Sequence, residues 1–404
     1  MADFHQNGVV STLHNISNRS AEDLEKELIV FSKKRPIDLI LPSLYSEIEG
    51  PALKNIINIL SKVKYLNHIT IGLDKADNKQ FIKAKEFFSN LNQPHSVIWN
   101  DGPRMKALDN ELNKKGLAPG ESGKGKNVWY CMGYVLARDE ARSIALHDCD
   151  ILTYDKELLA RLVYPVANPL FNYEFCKGYY PRVGNNKLNG RVTRLLVTPL
   201  LKALKKVLGP REYIEFIDVF RYPLAGEFSF RSRMLKELRI PSDWGLEIGI
   251  LSEMQRNHAQ NRICQVDIAK IYDHKHQEIS LKDKEKGLSK MSIDISKTLI
   301  RKLAAQGDTF TSNNLRTIKA TYYRTALDLL EIYHNDAKLN GLDININDEE
   351  IMIEVFANNI IIAGQEFLNK PNHNPLTPNW NRVQNTLPDF KDKFIQAVDE
   401  DSKI

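Results

Sequence analysis

Short apolar runs alternate with longer helical stretches between residues 37 and 100. The apolar runs are IDLILP, HITIGLD and SVIWN, and the helical stretches lie near residues 47–62 and 79–91. This alternation is typical of βαβ units, in which a helix crosses the sheet before the next parallel strand is added. The sequence therefore predicts an α/β fold with a mostly parallel, Rossmann-like sheet flanked by helices.

The chain is long enough for further structure beside this sheet. Its 404 residues exceed the roughly 250 to 300 residues at which one hydrophobic core stops growing. Ser20 precedes AEDLEKELIVFSKK and is a predicted helix cap, so we expect an N-terminal helical arm. Amphipathic periodicity beyond residue 285 predicts a helical C-terminal region that caps or dimerises the sheet domain. The predicted units are residues 1–36, 37–284 and 285–404.

Composition and charge exclude several classes of protein. The 56 basic and 51 acidic residues leave a net charge of +5, a mild surplus that does not resemble the concentrated stripe of a nucleic-acid binder. No run approaches about 18 uninterrupted apolar residues and MADFHQNGVV has no signal core, so we expect a cytoplasmic protein without a membrane partner. The cysteines are widely spaced and are predicted to be reduced thiols: Cys131, Cys149, Cys176 and Cys264.

Two acids follow an apolar run in the segment HDCD. Asp148 and Asp150 come just after SIAL, and on a strand their carboxylates would lie on one side of the chain. Paired carboxylates at a strand end can hold Mg²⁺, which takes one or two protein carboxylates together with phosphate oxygens. Ligands of open α/β sheets lie outside the carboxyl ends of the strands, which favours a functional role here. The alternative is a solvated turn after a strand.

Two glycine-containing segments open helices and suit anions. Lys124 lies in GKGKN, where backbone N–H groups and a lysine would suit a phosphate, although the Walker spacing is absent. Gly190 begins GRVTRLLVTPLLKALKKVL, so Arg191 and Thr193 would project near the positive end of a helix and suit a carboxylate or a phosphate. The alternatives are a flexible basic loop at Lys124 and an ion pair between Arg191 and a surface acid.

Two histidines and two glutamates are further polar candidates. His274 and His276 follow the alternating run QVDIAKIY, so both imidazoles would lie on one face of a continuing strand. One could complete a metal sphere and the other could contact an anion, and a solvated strand end is the alternative. Glu227 in AGEFSF and Glu247 in WGLEIGIL stand among apolar neighbours. Such a position indicates either a functional hydrogen bond or a structural ion pair.

These segments occur together, and in this order, in a known family. The series LPSL, GKGKN, HDCD, GRVTRLLVTPLL, PLAGEF, WGLEIGIL and HKHQ covers about residues 37–280. It resembles the glucosyl-3-phosphoglycerate synthase family of retaining GT-A glycosyltransferases, with mannosyl-3-phosphoglycerate synthase as a near relative. The resemblance implies a GT-A catalytic domain with a donor half (37–153) and an acceptor half (154–284). It also implies a homodimer that uses UDP-glucose, 3-phosphoglycerate and Mg²⁺ or Mn²⁺ to make a compatible solute.

The resemblance assigns roles residue by residue. It implies that Asp150 and His274 bind the metal and that the catalytic residues are Asp150, Glu247 and Arg191. The implied donor-binding residues are Pro42, Leu44, Glu47, Asp74, Lys124, Asp148 and Glu227. The implied acceptor-binding residues are Gly190, Arg191, Val192, Thr193, Trp244 and His276. Two positions depart from the family pattern, since Glu47 is a single acid where two adjacent acids are usual and His276 stands where asparagine is frequent.

No carboxylate nucleophile is evident in the sequence, although retaining glycosidases use one under the anomeric carbon. The resemblance implies front-face attack, in which the donor's diphosphate accepts the acceptor's proton and the protein supplies position and charge stabilisation. Several alternatives stay open. They are a sugar-phosphate nucleotidyltransferase, a glycosyltransferase that uses glycerate or a mannose donor, and a non-catalytic nucleotide-sugar-binding scaffold.

Overall fold

The computed structural model describes residues 6, 8–17, 19–274, 287–371 and 376–404. Within them the strands are β1 (Ser11–Leu13), β2 (Ile37–Leu44), β3 (Leu66–Asp74), β4 (His95–Trp99), β5 (Ser143–Leu146), β6 (Phe175–Tyr179), β7 (Val183–Gly184), β8 (Lys187–Leu188), β9 (Phe228–Arg231) and β10 (Ile263–Asp267). The helices are α1 (Ala21–Ser32), α2 (Tyr45–Ile48), α3 (Pro51–Leu60), α4 (Asn78–Phe88), α5 (Pro103–Lys114), α6 (Lys124–Arg138), α7 (Lys156–Ala167), α8 (Thr198–Leu208), α9 (Glu212–Asp218), α10 (Leu246–Asn257), α11 (Gly287–Ala305), α12 (Ser312–Leu339), α13 (Ile346–Asn369), α14 (Trp380–Thr386) and α15 (Phe390–Ser402). A π-helical segment, Val192–Val197, leads directly into α8.

Eight of the described strands form one sheet, in the order β1-β10-β6-β9-β5-β2-β3-β4. Strands β2 to β5 are mutually parallel, and so are β1, β10 and β6, whereas β9 is antiparallel to both β5 and β6. The sheet is mostly parallel, which confirms the predicted α/β class. From β2 the chain builds outward to β3 and β4 and then returns to place β5 on the other side of β2. Ligands of open α/β sheets bind at such a reversal.

The N-terminal segment contributes both a helix and a strand. Ser20 caps α1 because its side chain accepts a hydrogen bond from the backbone N–H of Asp23 at 3.1 Å. Leu24 and Leu28 are buried on the inner face of α1, and this helix packs against α7. Residues 11–13, inside the segment predicted as an arm, form the edge strand β1 beside β10. The segment is therefore joined to the sheet along one edge.

Helices cover both faces of the sheet. On one face, α1, α3, α4 and α7 share a core with inward-facing strand residues such as Leu39 and Ile69. On the other face, α6 shares a continuous core with the C-terminal helices α11 to α15. There the indole rings of Trp129 and Trp380 stack with their centroids 4.1 Å apart. The C-terminal helices therefore pack directly on the sheet domain.

Helix α13 is the part of the described chain that is long and apolar enough to cross a membrane, by length and composition alone. Its most apolar window has a mean hydropathy of 1.3, and 44% of that window is buried within the protein. Met352, Ile353, Phe356 and Ile360 belong to the core that α13 shares with α6 and α11. Core helices meet the same criteria, so this burial accounts for the apolar composition.

Candidate active site

The carboxyl ends of β2, β3 and β5 meet at one edge of the sheet. Pro42 pairs with β3 two residues before that strand ends at Asp74. Asp74 accepts a hydrogen bond from the Asn100 side chain at 2.7 Å, and burial raises the pKa of Asp74 to about 6. Asp148 and Asp150 follow the end of β5, which pairs with β2. Predicted site residues from three strands therefore lie at the reversal in strand order.

Lys124 joins two acids from distant parts of the chain. It is the first residue of α6, and its Nζ lies 2.6 Å from Asp148 Oδ1 and 3.0 Å from Glu247 Oε1. Glu247 lies in the first turn of α10 and is 9% exposed. Burial favours the neutral forms, but the opposite charges outweigh it, so the pKa of Lys124 is raised and the pKa of Asp148 is lowered. These three predicted residues form one charged cluster.

Asp150 and His274 face each other although they lie 124 positions apart along the chain. The His274 Nδ1 lies 3.2 Å from Asp150 Oδ2. A short antiparallel contact holds the two segments together. Ile151 and His274 form an antiparallel β-bridge, and the Leu152 N–H donates to the Asp273 carbonyl at 2.9 Å. The other carboxylate oxygen, Asp150 Oδ1, is buried without a hydrogen-bond partner.

A divalent cation fits this pair. A buried carboxylate oxygen is costly unless a donor or a cation satisfies it. The described residues contain no group of three or more His, Cys, Asp or Glu side chains that could hold a metal by themselves. Mg²⁺ needs only one or two protein carboxylates when phosphate oxygens supply the remaining ligands. The pair therefore suits an ion that is shared with a bound diphosphate.

Glu227 is fully buried. Its two oxygens accept hydrogen bonds from the hydroxyls of Tyr180 at 2.5 Å and Tyr272 at 2.6 Å. Burial, assisted by the charge of Asp148, raises the pKa of Glu227. At Gly226 an added Cβ would lie 2.3 Å from Asp148 Oδ2, so glycine allows the backbone to approach that carboxylate. The structure places this predicted donor residue inside the core next to the charged cluster.

Lys177, which the sequence motifs did not identify, supports the same backbone. It lies in β6 with 1% of its surface exposed, and its Nζ donates to the Ala225 carbonyl at 2.6 Å. Burial lowers the pKa of Lys177 to about 8. The sequence signal is a lysine inside the strand FCKGY, because lysine is almost never fully buried without a partner.

A cluster of cationic groups surrounds the start of the π-helical segment. Gly190 adopts a φ of +73°, a conformation that favours glycine, and the chain then turns into Arg191. Burial, together with the nearby guanidinium groups of Arg194 and Arg182, lowers the pKa of Arg191. The Thr193 hydroxyl and the Arg182 Nε are buried without hydrogen-bond partners. We call Arg182, Gly190, Arg191 and Thr193 the cationic site. The Thr193 hydroxyl and the Arg182 Nε, which lack hydrogen-bond partners, suit an anion.

The cationic site adjoins the pair of Asp150 and His274 through Tyr272. The Tyr272 N–H donates to the Pro181 carbonyl at 3.2 Å. The Arg182 guanidinium lies 5.5 Å from the centroid of the Tyr272 ring, and Tyr272 stands two residues before His274. The structure therefore brings the predicted metal and acceptor residues into neighbouring positions. Arg182 was missed because no local motif distinguishes it from a surface arginine.

The other predicted residues lie around these groups or outside the described part of the chain. Leu44 ends β2 and is 37% exposed, and Glu47 is partly buried in α2. Trp244 is partly buried in the loop before α10. Val192 is buried in the first turn of the π-helical segment. His276 lies outside the described residues, so its position stays a prediction.

Solved structures of other proteins share this fold. The glucosyl-3-phosphoglycerate synthase of Mycobacterium tuberculosis, solved with Mn²⁺, UDP-glucose and phosphoglyceric acid, matches with 20% identity and a TM-score of 0.53. The match covers 74% of this chain and 89% of that chain. At this identity the likeness shows the fold alone, which is the predicted GT-A fold. The class is therefore that of the GT-A fold, with the paired acids at its strand reversal, where open α/β sheets bind their ligands.

Two curated relatives match over nearly their full lengths. The glucosyl-3-phosphoglycerate synthase of Persephonella marina is 46% identical over 402 residues, which cover 100% of this chain and 99% of that protein. The synthase of Methanococcoides burtonii is 39% identical over 405 residues, which cover 99% and 98%. No protein-family model matches the chain. The chain belongs to the glucosyl-3-phosphoglycerate synthase family, which decides against a nucleotidyltransferase and against a non-catalytic scaffold.

Proposed function

We propose that this enzyme transfers glucose from UDP-glucose to 3-phosphoglycerate, with retention at the anomeric carbon and with Mg²⁺ or Mn²⁺ as cofactor. The observation that carries the proposal is that the pair of Asp150 and His274 adjoins the cationic site through Tyr272. A cation bound to a diphosphate would need the acid and histidine pair, and a phosphorylated acceptor would need the cationic site beside it. The names of the two curated relatives and the ligands of the M. tuberculosis protein support the same substrates here.

On the donor side, the pair of Asp150 and His274 would hold the metal. When bound, the metal neutralises the charge that develops on the diphosphate as the sugar leaves. The acids of the charged cluster hold the Lys124 ammonium in a fixed position beside the same sheet edge. Glu227 would act from the core, where it fixes Tyr272 and the backbone beside Asp148. The uridine end is proposed to lie against the ends of β2 and β3, at Pro42, Leu44, Glu47 and Asp74.

On the acceptor side, the cationic site would bind the phosphate or the carboxylate of phosphoglycerate. Arg182 and Arg191 supply two guanidinium groups, which form strong charge-assisted hydrogen bonds with such anions. The acceptor would also satisfy the buried Thr193 hydroxyl. We also propose that Trp244 and His276 contact the acceptor, and the position of His276 stays a prediction.

The partners of the two glutamates favour front-face attack. Glu227 is fully buried and accepts hydrogen bonds from two tyrosines, while Glu247 is paired with Lys124. Neither is placed as a free nucleophile under the anomeric carbon. The acceptor hydroxyl would instead pass its proton to the donor's own diphosphate oxygen. The protein then contributes position and charge stabilisation, with Asp150 and Arg191 at the two ends of the reacting pair and Glu247 beside the sugar.

Product detection by mass spectrometry tests the proposal directly. The purified protein is incubated with Mg²⁺, a panel of UDP- and GDP-sugars, and either 3-phosphoglycerate or glycerate. We expect glucosyl-3-phosphoglycerate from UDP-glucose, and we expect EDTA to abolish it, with activity restored by added Mg²⁺ or Mn²⁺. Release of free glucose alone, or a product that survives EDTA, would contradict the proposal.

The proposal also includes a homodimer, a cytoplasmic location and a compatible-solute product. These features rest on the family resemblance. Sedimentation of the purified protein tests the first of them, because a dimer has twice the 46.3 kDa mass of the chain. A single-chain mass at assay concentration would contradict the dimer.

Donor binding is expected to weaken below about pH 6. Burial raises the pKa of Asp74 to about 6. The charged carboxylate accepts hydrogen bonds from the uridine end more strongly than the protonated carboxyl, in which one oxygen has become a donor. As the pH falls through this value the Asp74 carboxylate is lost, so the affinity for UDP-glucose at pH 5 should be about tenfold lower than at pH 7. Calorimetric titration measures this, and Asp74→Asn is the control. A wild-type affinity with the same pH dependence as the variant would exclude Asp74 as the titrating group.

A further inference from the structure

The cationic site follows a small hairpin that is held by the C-terminal helical region. Strands β7 and β8 are joined by Asn185 and Asn186, which both adopt positive φ angles of 50° and 58°, as in the tight turns of two-residue hairpins. Asp343, in the connection between α12 and α13, donates its N–H to the Asn186 carbonyl at 2.7 Å. Its own carbonyl accepts the Leu188 N–H at 3.4 Å. The hairpin is therefore joined to the C-terminal region by backbone hydrogen bonds.

A buried ion pair continues this attachment. The Arg194 guanidinium donates to both oxygens of Glu349, on α13, at 2.6 and 3.0 Å. It also donates to the carbonyls of Leu188 and Asn189 at 3.0 and 2.8 Å. Arg194 and Glu349 are 7% and 6% exposed. One side chain thus ties together the end of the hairpin, the π-helical segment and α13.

A third contact reaches the next turn of the same segment. The Tyr322 hydroxyl, on α12, donates to the Leu195 carbonyl at 2.6 Å. Tyr333, also on α12, has its ring centroid 5.1 Å from the Arg194 guanidinium. Segments of π-helix are rare and occur frequently at functional sites. Here the unusual geometry begins directly after Arg191 and is braced from outside by two helices.

The energetics favour a positioning role for the ion pair. Removing both charges from water is costly, and well-packed apolar residues often give equal or greater stability at such positions. What the pair supplies is geometry, because the planar guanidinium fork fixes both the carboxylate and the two backbone carbonyls. These carbonyls belong to the residues immediately before Gly190. The position of the cationic site therefore depends on a carboxylate that the C-terminal region provides.

We propose that Glu349, acting through Arg194, is a positioning residue of the acceptor site, so that the C-terminal helical region sets the affinity for the anionic acceptor. This inference rests on the proposed function, in which the cationic site binds phosphoglycerate. It does not involve the donor residues, because Lys124, Asp148 and Glu247 are held by one another. The KM values of the two substrates should therefore respond differently when the ion pair between Arg194 and Glu349 is removed.

The test uses the double variant Arg194→Met with Glu349→Leu in the full chain. The apolar pair leaves no unpaired buried charge, so the protein should fold with an unfolding midpoint near that of the wild type. We expect the KM for 3-phosphoglycerate to rise about tenfold, while the KM for UDP-glucose and the kcat at saturating acceptor change less than about twofold. Glu349→Asp, which keeps the charge on a shorter side chain, should lie between the wild type and the double variant.

The matched control breaks an ion pair between the C-terminal region and the connection that follows α8. Arg211, which immediately precedes α9, pairs with Asp308 at 2.8 Å, so Asp308→Asn loosens the connection between α8 and α9. This control should leave both KM values near those of the wild type. A folded double variant with an unchanged acceptor KM would overturn the proposal, and so would an equal rise in the control.

Hydrogen exchange separates failure of this inference from failure of the proposed function. If the wild type makes no product from 3-phosphoglycerate, the proposed function fails, but the effect of the Arg194–Glu349 pair on the cationic site can still be measured. In the double variant, amide exchange across residues 183–197 should accelerate at least about tenfold relative to the wild type, with no change in α6. Unchanged protection of residues 183–197 would overturn the positioning role, whichever acceptor the enzyme uses.

Discussion

Replacing Asp150 with alanine should lower kcat about 10³-fold or more at saturating Mg²⁺. The variant removes the carboxylate that faces His274 at 3.2 Å, and with it the buried oxygen that lacks a hydrogen-bond partner. A metal supplies several kcal/mol of charge stabilisation to a departing diphosphate, and each 1.4 kcal/mol corresponds to a factor of about ten in rate. Asp150 is also the carboxylate ligand of the proposed site, so its loss should weaken metal binding as well.

Two measurements distinguish this explanation from general damage to the fold. Electron paramagnetic resonance of Mn²⁺ in the presence of UDP should show tight binding to the wild type and little binding to Asp150→Ala. Asp155→Ala is a suitable control, because Asp155 caps α7 by accepting the Leu158 N–H at 2.9 Å and lies shortly after Asp150 in the sequence. It should cost about 1 kcal/mol of stability and leave kcat unchanged. Near-normal turnover by Asp150→Ala would refute the metal assignment.

Replacing Lys124 with methionine should damage both stability and activity. It would leave Asp148 and Glu247 as partly buried carboxylates without their common partner. Breaking a buried ion pair by removing one member costs about 3 kcal/mol, because a charge stays uncompensated. The displaced acids would also repel the diphosphate, so we expect kcat/KM for UDP-glucose to fall about 100-fold or more. Thermal unfolding and initial rates measure the two effects.

Lys126 provides a matched control on the same helix. Its Nζ pairs with Asp109 at 2.9 Å, and the two side chains are 21% and 26% exposed, close to the 24% and 25% of Lys124 and Asp148. Lys126→Met breaks one ion pair of similar burial away from the acids after β5. It should lower stability less and leave kcat/KM within about threefold of the wild type. Equal losses of activity in both variants would show that Lys124 acts only through the stability of α6.

Local sequence signals predicted much of the donor half. Alternating apolar runs and helical stretches predict βαβ units because each element buries its apolar side against the same sheet. The segment HDCD could be located because chemistry in such sheets lies at strand ends. The edge strand β1 and the antiparallel strand β9 were not predicted, because their neighbours in the sheet are distant in the sequence.

Residues that act through long-range contacts were the ones that the sequence did not reveal. Lys177 looks like an ordinary strand residue until its Nζ is seen to meet the Ala225 carbonyl. Glu349 lies on a helix that periodicity predicts, but nothing local shows that it meets Arg194, 155 positions earlier. Desolvation and pairing of such charges depend on which elements pack together, and a single sequence does not contain that information.

The sequence by itself determined the α/β class, the helical C-terminal region and the candidate acids and histidines, since periodicity and residue chemistry are local properties. Only the tertiary structure decided which of these residues share a site. It joined Asp150 to His274, bound Lys124 to two acids, and placed the cationic site against the C-terminal helices. The physical reason is that the strand reversal and the core packing bring together side chains that lie as many as 155 residues apart in the sequence. Their charges interact strongly only over distances of a few ångströms.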